Sequence, residues 1–229
     1  MTMAYRPVTK GRNTPPFTAE GGDVEYWHNR VAAGVTDELV AALVRAGYGY
    51  VINGGSATTP ITGAGAYAGT TPDMDILVPS NKAFIPLVIT VGYETIGTSL
   101  LLEVIMRAGL GGAQGTTTVV TPVNMDTGRS NDSGLTCFSP SSSATLMTQN
   151  LQDLFHDQQT LAITKTAGSA TVSATDPSKF VYRAKDEGVY HILRAGNGLN
   201  ARLNVWMASN GPTGFIICKG LSLPVEWFG

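Results

Sequence analysis

Charge is what this chain has least of. Of 229 residues, 15 are Lys or Arg and 17 are Asp or Glu, 14% in all, against about 25% in an ordinary globular protein. The formal net charge is −2, and no basic cluster marks a nucleic-acid surface. Cysteine is nearly missing. Cys137 and Cys218 are the only two, too few for a disulfide framework at this length, and both are expected to be reduced and at least partly buried. The opening residues MTMAYRPVTKGRN contain no apolar h-region, so no secretory signal is expected. No apolar run approaches the ~18 residues of a membrane-spanning helix.

Motifs of catalysis and metal binding are missing as well. His28, His156 and His191 are scattered, and no His-x-His, His-Glu-x-x-His or Cys-x-x-Cys spacing occurs. The glycine-rich stretches Gly63–Gly69 and Gly109–Gly115 lack the Gly-Lys-Thr/Ser ending of a phosphate loop. There is no Gly-x-Ser-x-Gly elbow. Asp126-Thr-Gly matches the triplet of aspartic proteases, but that chemistry needs two such loops, so the triplet reads as an Asp-Gly turn. Arg129–Ser133 lacks the spacing and closing Glu of a calcium loop. Asp73 and Asp75 flank Met74 and share a strand face. Such a pair can share a proton or bind a cation, but it reads here as a solvated edge that discourages strand addition. No enzymatic activity, catalytic residue, cofactor, metal or small-molecule ligand is expected.

What the chain does have is 43% hydrophobic residues and 27 glycines, a composition of strands and turns. At this length it can bury a full core without staples. The strongest signal is Thr71–Arg107, which reads as successive strands. Met74, Ile76 and Val78 alternate with Asp73, Asp75 and Leu77, and Pro79-Ser80-Asn81 turns the chain. Ile85, Leu87, Ile89, Val91 and Tyr93 then share one face, and Pro86 implies an edge, a bulge or the strand's start. Leu100–Arg107 is compatible with a strand or a helix. The strand is preferred, because it can fold back on its predecessor as a hairpin.

Elsewhere, Pro7, Pro15 and Pro16 with Gly11, Gly21 and Gly22 make residues 1–30 an extended N-terminal arm, one that carries aromatics. Residues 31–229 read as a single β-sandwich domain. One short helix is expected near 36–46, with Thr36 as cap, Asp37 and Glu38 in its first turn, an apolar Val35/Leu39/Val40/Leu43/Val44 face and Gly47 as its stop. Strands are expected at Tyr48–Asn53, around Thr59–Thr62, and over Thr116–Met125. Asp126–Gly134 reads as a polar turn, Ser139–Ser143 as a Ser-rich loop tip and Gln149–Gln159 as holding a helical turn. Short strands then follow at Thr160–Thr166, Ala170–Ala174, Lys179–Ala184, Gly188–Arg194, Leu203–Ala208 and Gly214–Leu221, separated by turn residues. This spacing indicates a sandwich.

Ile76-Leu-Val-Pro-Ser-Asn-Lys, Phe84-Ile-Pro-Leu-Val-Ile-Thr-Val, Glu94, Gly97-Thr98 and the closing Ile216-Ile-Cys-Lys-Gly-Leu-Ser-Leu-Pro-Val-Glu-Trp resemble structural proteins of tailed-bacteriophage virions. The resemblance covers about a quarter of the chain and transfers no binding residue. It implies a mainly all-β, jelly-roll-like sandwich. It also implies a non-enzymatic cement or decoration protein that binds and stabilises the capsid in the virion, with itself as a homotrimer and the major capsid protein as partners, and no nucleic acid or membrane. Terminal aromatics that can reach a neighbour are the interface candidates: Tyr5, Phe17, Tyr26, Trp27, Trp227 and Phe228. The competing reading is a receptor- or carbohydrate-binding sandwich of a phage tail or fibre. Its groove would carry Arg202, Asn204 and Trp206 on one strand face, with Leu203 and Val205 in the core. A degenerate hydrolase is a weaker third, disfavoured by the missing motifs.

Overall fold

The structure is a computed structural model, and it describes residues 39–56, 58–64, 67–95, 101–160, 163–166, 169–172, 179–208 and 210–228. The expected arm, with Tyr5, Phe17, Tyr26 and Trp27, lies outside the described residues, as do Thr36, Asp37 and Glu38.

The chain opens with helix α1 (Leu39–Arg45), then strands β1 (Gly49–Gly54), β2 (Ile61–Ala64), β3 (Met74–Val78), β4 (Lys82–Thr95) and β5 (Leu101–Leu110). Next come β6 (Thr116–Val120), β7 (Val123–Asn124), β8 (Thr136–Ser142) and β9 (Gln149–Thr160). A separate hairpin, β10 (Ile163–Thr166) and β11 (Ser169–Val172), precedes β12 (Lys179–Arg183) and helix α2 (Ala184–Glu187). The chain continues through β13 (Leu193–Arg194), β14 (Ala201–Met207), β15 (Asn210–Pro224) and a 3-10 turn at Val225–Phe228.

The protein is a mainly β sandwich of two antiparallel sheets. The first runs β12-β4-β15-β1-β7, with β13 added to β4 and β2 to β15; the second runs β6-β8-β3-β14-β5-β9. Taken alone, β1, β3, β4, β5, β9, β12, β14 and β15 give the orders β1-β15-β4-β12 and β3-β14-β5-β9. That is the double Greek key of a jelly roll. The segment holding β6, β7 and β8 is an insertion after β5. It extends the second sheet beyond β3 and the first beyond β1.

The three strands read from Thr71–Arg107 all form, but not as neighbours. β4 lies in the first sheet, while β5 pairs with β14 and β9 in the second. The expected hairpin of Leu100–Arg107 on β4 is therefore wrong: the chain crosses between sheets, and the same alternation serves either pairing. Pro86 marks a bulge. Lys219 faces Val88 and Gly220 faces Pro86, leaving Leu87 as the extra residue. The bulge flips the strand's faces. Phe84 before it and Ile89, Val91 and Tyr93 after it enter the main core. Ile85 and Leu87 point out of the sandwich and pack, with Leu43, Val44, Tyr48, Leu221, Leu223 and Phe228, in a smaller second core under α1. The single face expected for Ile85 through Tyr93 is thus split in two.

α1 ends where expected. Gly47 takes φ of 90°, and the bonds Tyr48 N–H to Leu43 O (3.0 Å) and Gly47 N–H to Val44 O (2.9 Å) close a Schellman motif. Other expectations fail. Gln149–Gln159 is the edge strand β9, because pairing with β5 along its length overrides a polar composition poor in β-branched residues. Ser139–Ser143 is mostly strand β8, with the Ser139 and Ser141 hydroxyls bonded inward instead of to solvent. Gly188–Arg194 forms only the two-residue β13. Asp186 and Glu187 close a second short helix instead of a turn, with Gly188 as its left-handed cap, so the fold has two short α-helices among the described residues, not one.

Gly220 crosses the bulge at a point where a side chain has no room. A Cβ there would lie 2.5 Å from Phe84 Cζ and 2.6 Å from the Ile85 carbonyl. Gly220→Ala is expected to lower stability by ~1–3 kcal/mol in denaturant unfolding. Gly128→Ala, whose Cβ would approach only the Asp126 carboxylate at 3.4 Å, is expected to change it by less than ~0.5 kcal/mol.

Candidate functional site on the outer face of the second sheet

β14 runs between β3 and β5, and alternation divides its side chains as the sequence indicates. Leu203 and Val205 are fully buried in the main core. Arg202, Asn204 and Trp206 point to the outer face, in register with Asp75 and Arg107, which flank Asn204 on β3 and β5. Around Asp75 and Arg202 this outer face is not solvated. The segments 67–72, 111–115 and 141–148 lie over it, joined by Ser141 N–H to Pro72 O (2.9 Å), Ala144 N–H to Thr70 O (3.0 Å) and Thr145 N–H to Ala113 O (2.9 Å).

Beneath them Asp75 and Arg202 form a fully buried, two-pronged ion pair. Arg202 Nε donates to Asp75 Oδ1 at 3.1 Å and Nη2 to Oδ2 at 2.6 Å. Arg202 Nη1 donates to the Thr145 carbonyl at 2.7 Å, and Asp75 Oδ2 accepts from the Gly115 amide at 3.1 Å. Asp73 is buried beside them, its Oδ2 accepting from the Met207 amide at 2.6 Å. The solvated edge expected of Asp73 and Asp75 is therefore wrong. β3 is an interior strand, and both carboxylates are structural acceptors whose lone pairs are taken by the chain.

Toward β9 the same face opens into a cleft. Trp206 donates its Nε1–H to the Ala68 carbonyl at 2.9 Å, and its ring lies 4.9 Å from that of Tyr67. Arg107 sits 5.5 Å over the Tyr67 ring, donates to its hydroxyl at 2.9 Å, and pairs with Asp153 through Nε–H to Oδ1 at 2.5 Å. The hydrogen bond from Arg107 holds Asp153 below the usual carboxylate range. Further along, His156 Nε2 lies 2.7 Å from Glu103 Oε1. His191 meets the Gln152 side-chain oxygen at 3.0 Å. Neither histidine is thereby paired to a nucleophile. Among the described residues no group of three His, Cys, Asp or Glu is placed to hold a metal ion, and no helix is long and apolar enough to cross a membrane. Asp126 forms the turn expected of it, accepting from the Gly128 amide at 3.1 Å.

Of the interface candidates within the described residues, Phe228 packs into the second core, and its carbonyl accepts from Arg194 at 3.0 Å. Trp227 meets Tyr48 edge-on at 5.0 Å and keeps 37% exposure. The C-terminal aromatics are thus tied to their own sandwich, with Trp227 partly exposed. Of the proposed groove residues, Asn204 and Trp206 line the cleft and Arg202 does not. Tyr67, in a loop of Gly, Ala and Thr with no periodicity, was invisible to pattern reading.

Cys137 and Cys218 are free and buried. Burial, and secondarily the Asp75 charge, pushes the Cys137 thiol from 9.0 up to about 12; burial raises Cys218 too. Tyr182 is likewise pushed up to about 12 by burial.

Removing one partner of the buried pair strands the other, so Arg202→Met is expected to cost ~3–5 kcal/mol in denaturant unfolding, with Asp75→Leu/Arg202→Met recovering much of that loss. The native thiols are expected to resist a disulfide reagent at neutral pH and to titrate as two after denaturation. Because the folded Cys137 pKa is raised from 9.0 to about 12, the unfolded chain gives up this proton first. Melting temperature should therefore fall as pH rises through that window.

Set beside known proteins, the chain matches no family model, no curated protein and no solved structure.

Proposed function

We propose that the protein is a non-enzymatic structural component of a tailed-bacteriophage virion, a cement or decoration protein that binds the major capsid protein as a homotrimer and stabilises the capsid. One observation carries this reading. Two of the stretches that resemble virion proteins lie side by side in a jelly roll. Phe84–Val91 lies within β4, and Ile216–Trp227 spans the end of β15 and the following turn, with β15 paired to β4 from Thr213 to Pro224; Ile76–Lys82 ends β3 in the other sheet and turns the chain into β4, and Gly97-Thr98 lies outside the described residues. The jelly roll is shared by viral capsid and lectin domains, and a fold alone assigns no activity, so the support lies in the motifs and in the surface.

That surface offers an apolar contact. Val189, Tyr190 and Ile192 are all exposed within the five residues after α2. Of these, Ile192 lines a groove of about 550 Å³ together with Asn150, Gln152, Arg194 and Asn197. Clustered exposed apolar side chains rimmed by polar ones suit a protein–protein contact. Low overall charge lowers the desolvation such a contact costs.

The test is solution mass followed by binding to expanded, empty capsids of the encoding phage. A trimer that binds and raises capsid melting temperature is the expected outcome, weakened by Tyr190→Ser/Ile192→Ser and by deletion of residues 1–25. A monomer that leaves capsids unchanged overturns the reading.

A further inference from the structure

We propose that the cleft beside Trp206 and the free edge of β9 form a seat for residues 1–19 of a second copy of this chain, with Tyr5 in the cleft and Arg6, Lys10 and Arg12 along β9. The proposal rests on the self-association in the reading above, but not on the capsid.

The seat has three parts. The first is apolar. The cleft encloses about 250 Å³, and its lining includes Leu146, Met147, Leu151 and Trp206. Leu146 and Leu151 are 56% and 52% exposed, and exposed leucines beside a concave site suit an aromatic side chain of a protein. The second part is a sheet edge. β9 ends the second sheet with 12 residues, and among the described residues no strand pairs with its outer side. An extended segment can hydrogen-bond along such an edge. The third part is charge. β5 and β9 together carry the carboxylates of Glu103, Asp153 and Asp157, with Arg107 as their only Lys or Arg.

One segment outside the described residues matches all three. Residues 1–19 hold Arg6, Lys10 and Arg12 and no Asp or Glu, so their charge is opposite to that of the β9 edge. Tyr5 directly precedes Arg6. The lengths agree as well. Leu151 to Asp157 runs about 20 Å along a strand, and Tyr5 to Arg12 runs up to about 24 Å when extended. The segment joins the sandwich through α1, which covers the outer face of the first sheet, whereas the cleft opens on the outer face of the second. Entry point and seat therefore lie on opposite sides of one copy, which favours the seat of a neighbour. Residues 13–38 lie between, enough at about 3.3 Å each to reach it.

Disulfide trapping in the full chain tests this. Ala4→Cys/Leu151→Cys puts one thiol beside Tyr5 and one on the cleft rim, both at sites whose substitution leaves the core intact, while Cys137 and Cys218, free and buried, stay out of the exchange. On mild oxidation, chains are expected to link to one another about tenfold faster than in either single-cysteine variant. Adding Arg6→Glu/Lys10→Glu/Arg12→Glu is expected to slow the linking by about the same factor, and high salt to slow it too. Links formed only within a chain, linking no faster than in the single variants, equal linking when Thr118→Cys on the far edge β6 replaces Leu151→Cys, or a rate untouched by the charge reversal each overturns the proposal. Solution mass and capsid binding are read separately. A trimer that binds capsids without such links leaves the capsid reading standing, and linked copies that leave capsids unchanged leave this proposal standing without it.

Discussion

The buried pair of Asp75 and Arg202 holds the second sheet and its covering loops together. Each charge costs several kcal/mol to take out of water. The two-pronged contact offsets part of this, and the rest is offset by the Gly115 amide and the Thr145 carbonyl, which lie in the covering segments rather than in the sheet. The pair therefore does more than join β3 to β14. It gives the loops over the outer face a fixed seat, because only their placement completes the hydrogen bonding of both ions. Asn204 and Trp206 follow on the same strand, so the floor of the cleft inherits that rigidity.

The first sheet solves a different problem. Its strand β4 must serve two cores, and the single extra residue at Leu87 lets it do so. Before and after that point the strand offers opposite parities to the interior, while β15 keeps its own. Cys218 faces the main core and Leu221 and Leu223 face the helix. The outer face under α1 is thereby made apolar without interrupting β15.

Much of this was legible in the residues. Alternation at Met74–Val78 and Lys82–Thr95 identified strands, Pro86 flagged the bulge, and Gly47 the helix stop. The outward set Arg202, Asn204 and Trp206 was read correctly from parity alone. What alternation cannot express is what later covers a face. Asp73 and Asp75 look the same in sequence whether loops or water lie above them, and only tertiary closure buried them. Pairing partners were hidden for the same reason: Leu101–Leu110 would alternate alike beside β4 or beside β14. The strand β9 was hidden by composition, since a polar edge strand carries no apolar period. The cleft was half legible, because Tyr67 comes from a loop whose position no period encodes.

Chain order adds a consequence for synthesis. The strand between β4 and β1 in the first sheet is β15, and the strand between β3 and β5 in the second is β14. Both follow every other sandwich strand along the chain. As the polypeptide leaves the ribosome, β1, β3, β4 and β5 emerge with their central partners still unmade, and bare strand edges of this kind invite pairing with other chains. Neither sheet can close until its centre arrives, so the folding of this protein is gated by the emergence of residues 201–224, and a nascent chain halted before them is an aggregation hazard rather than a partial sandwich.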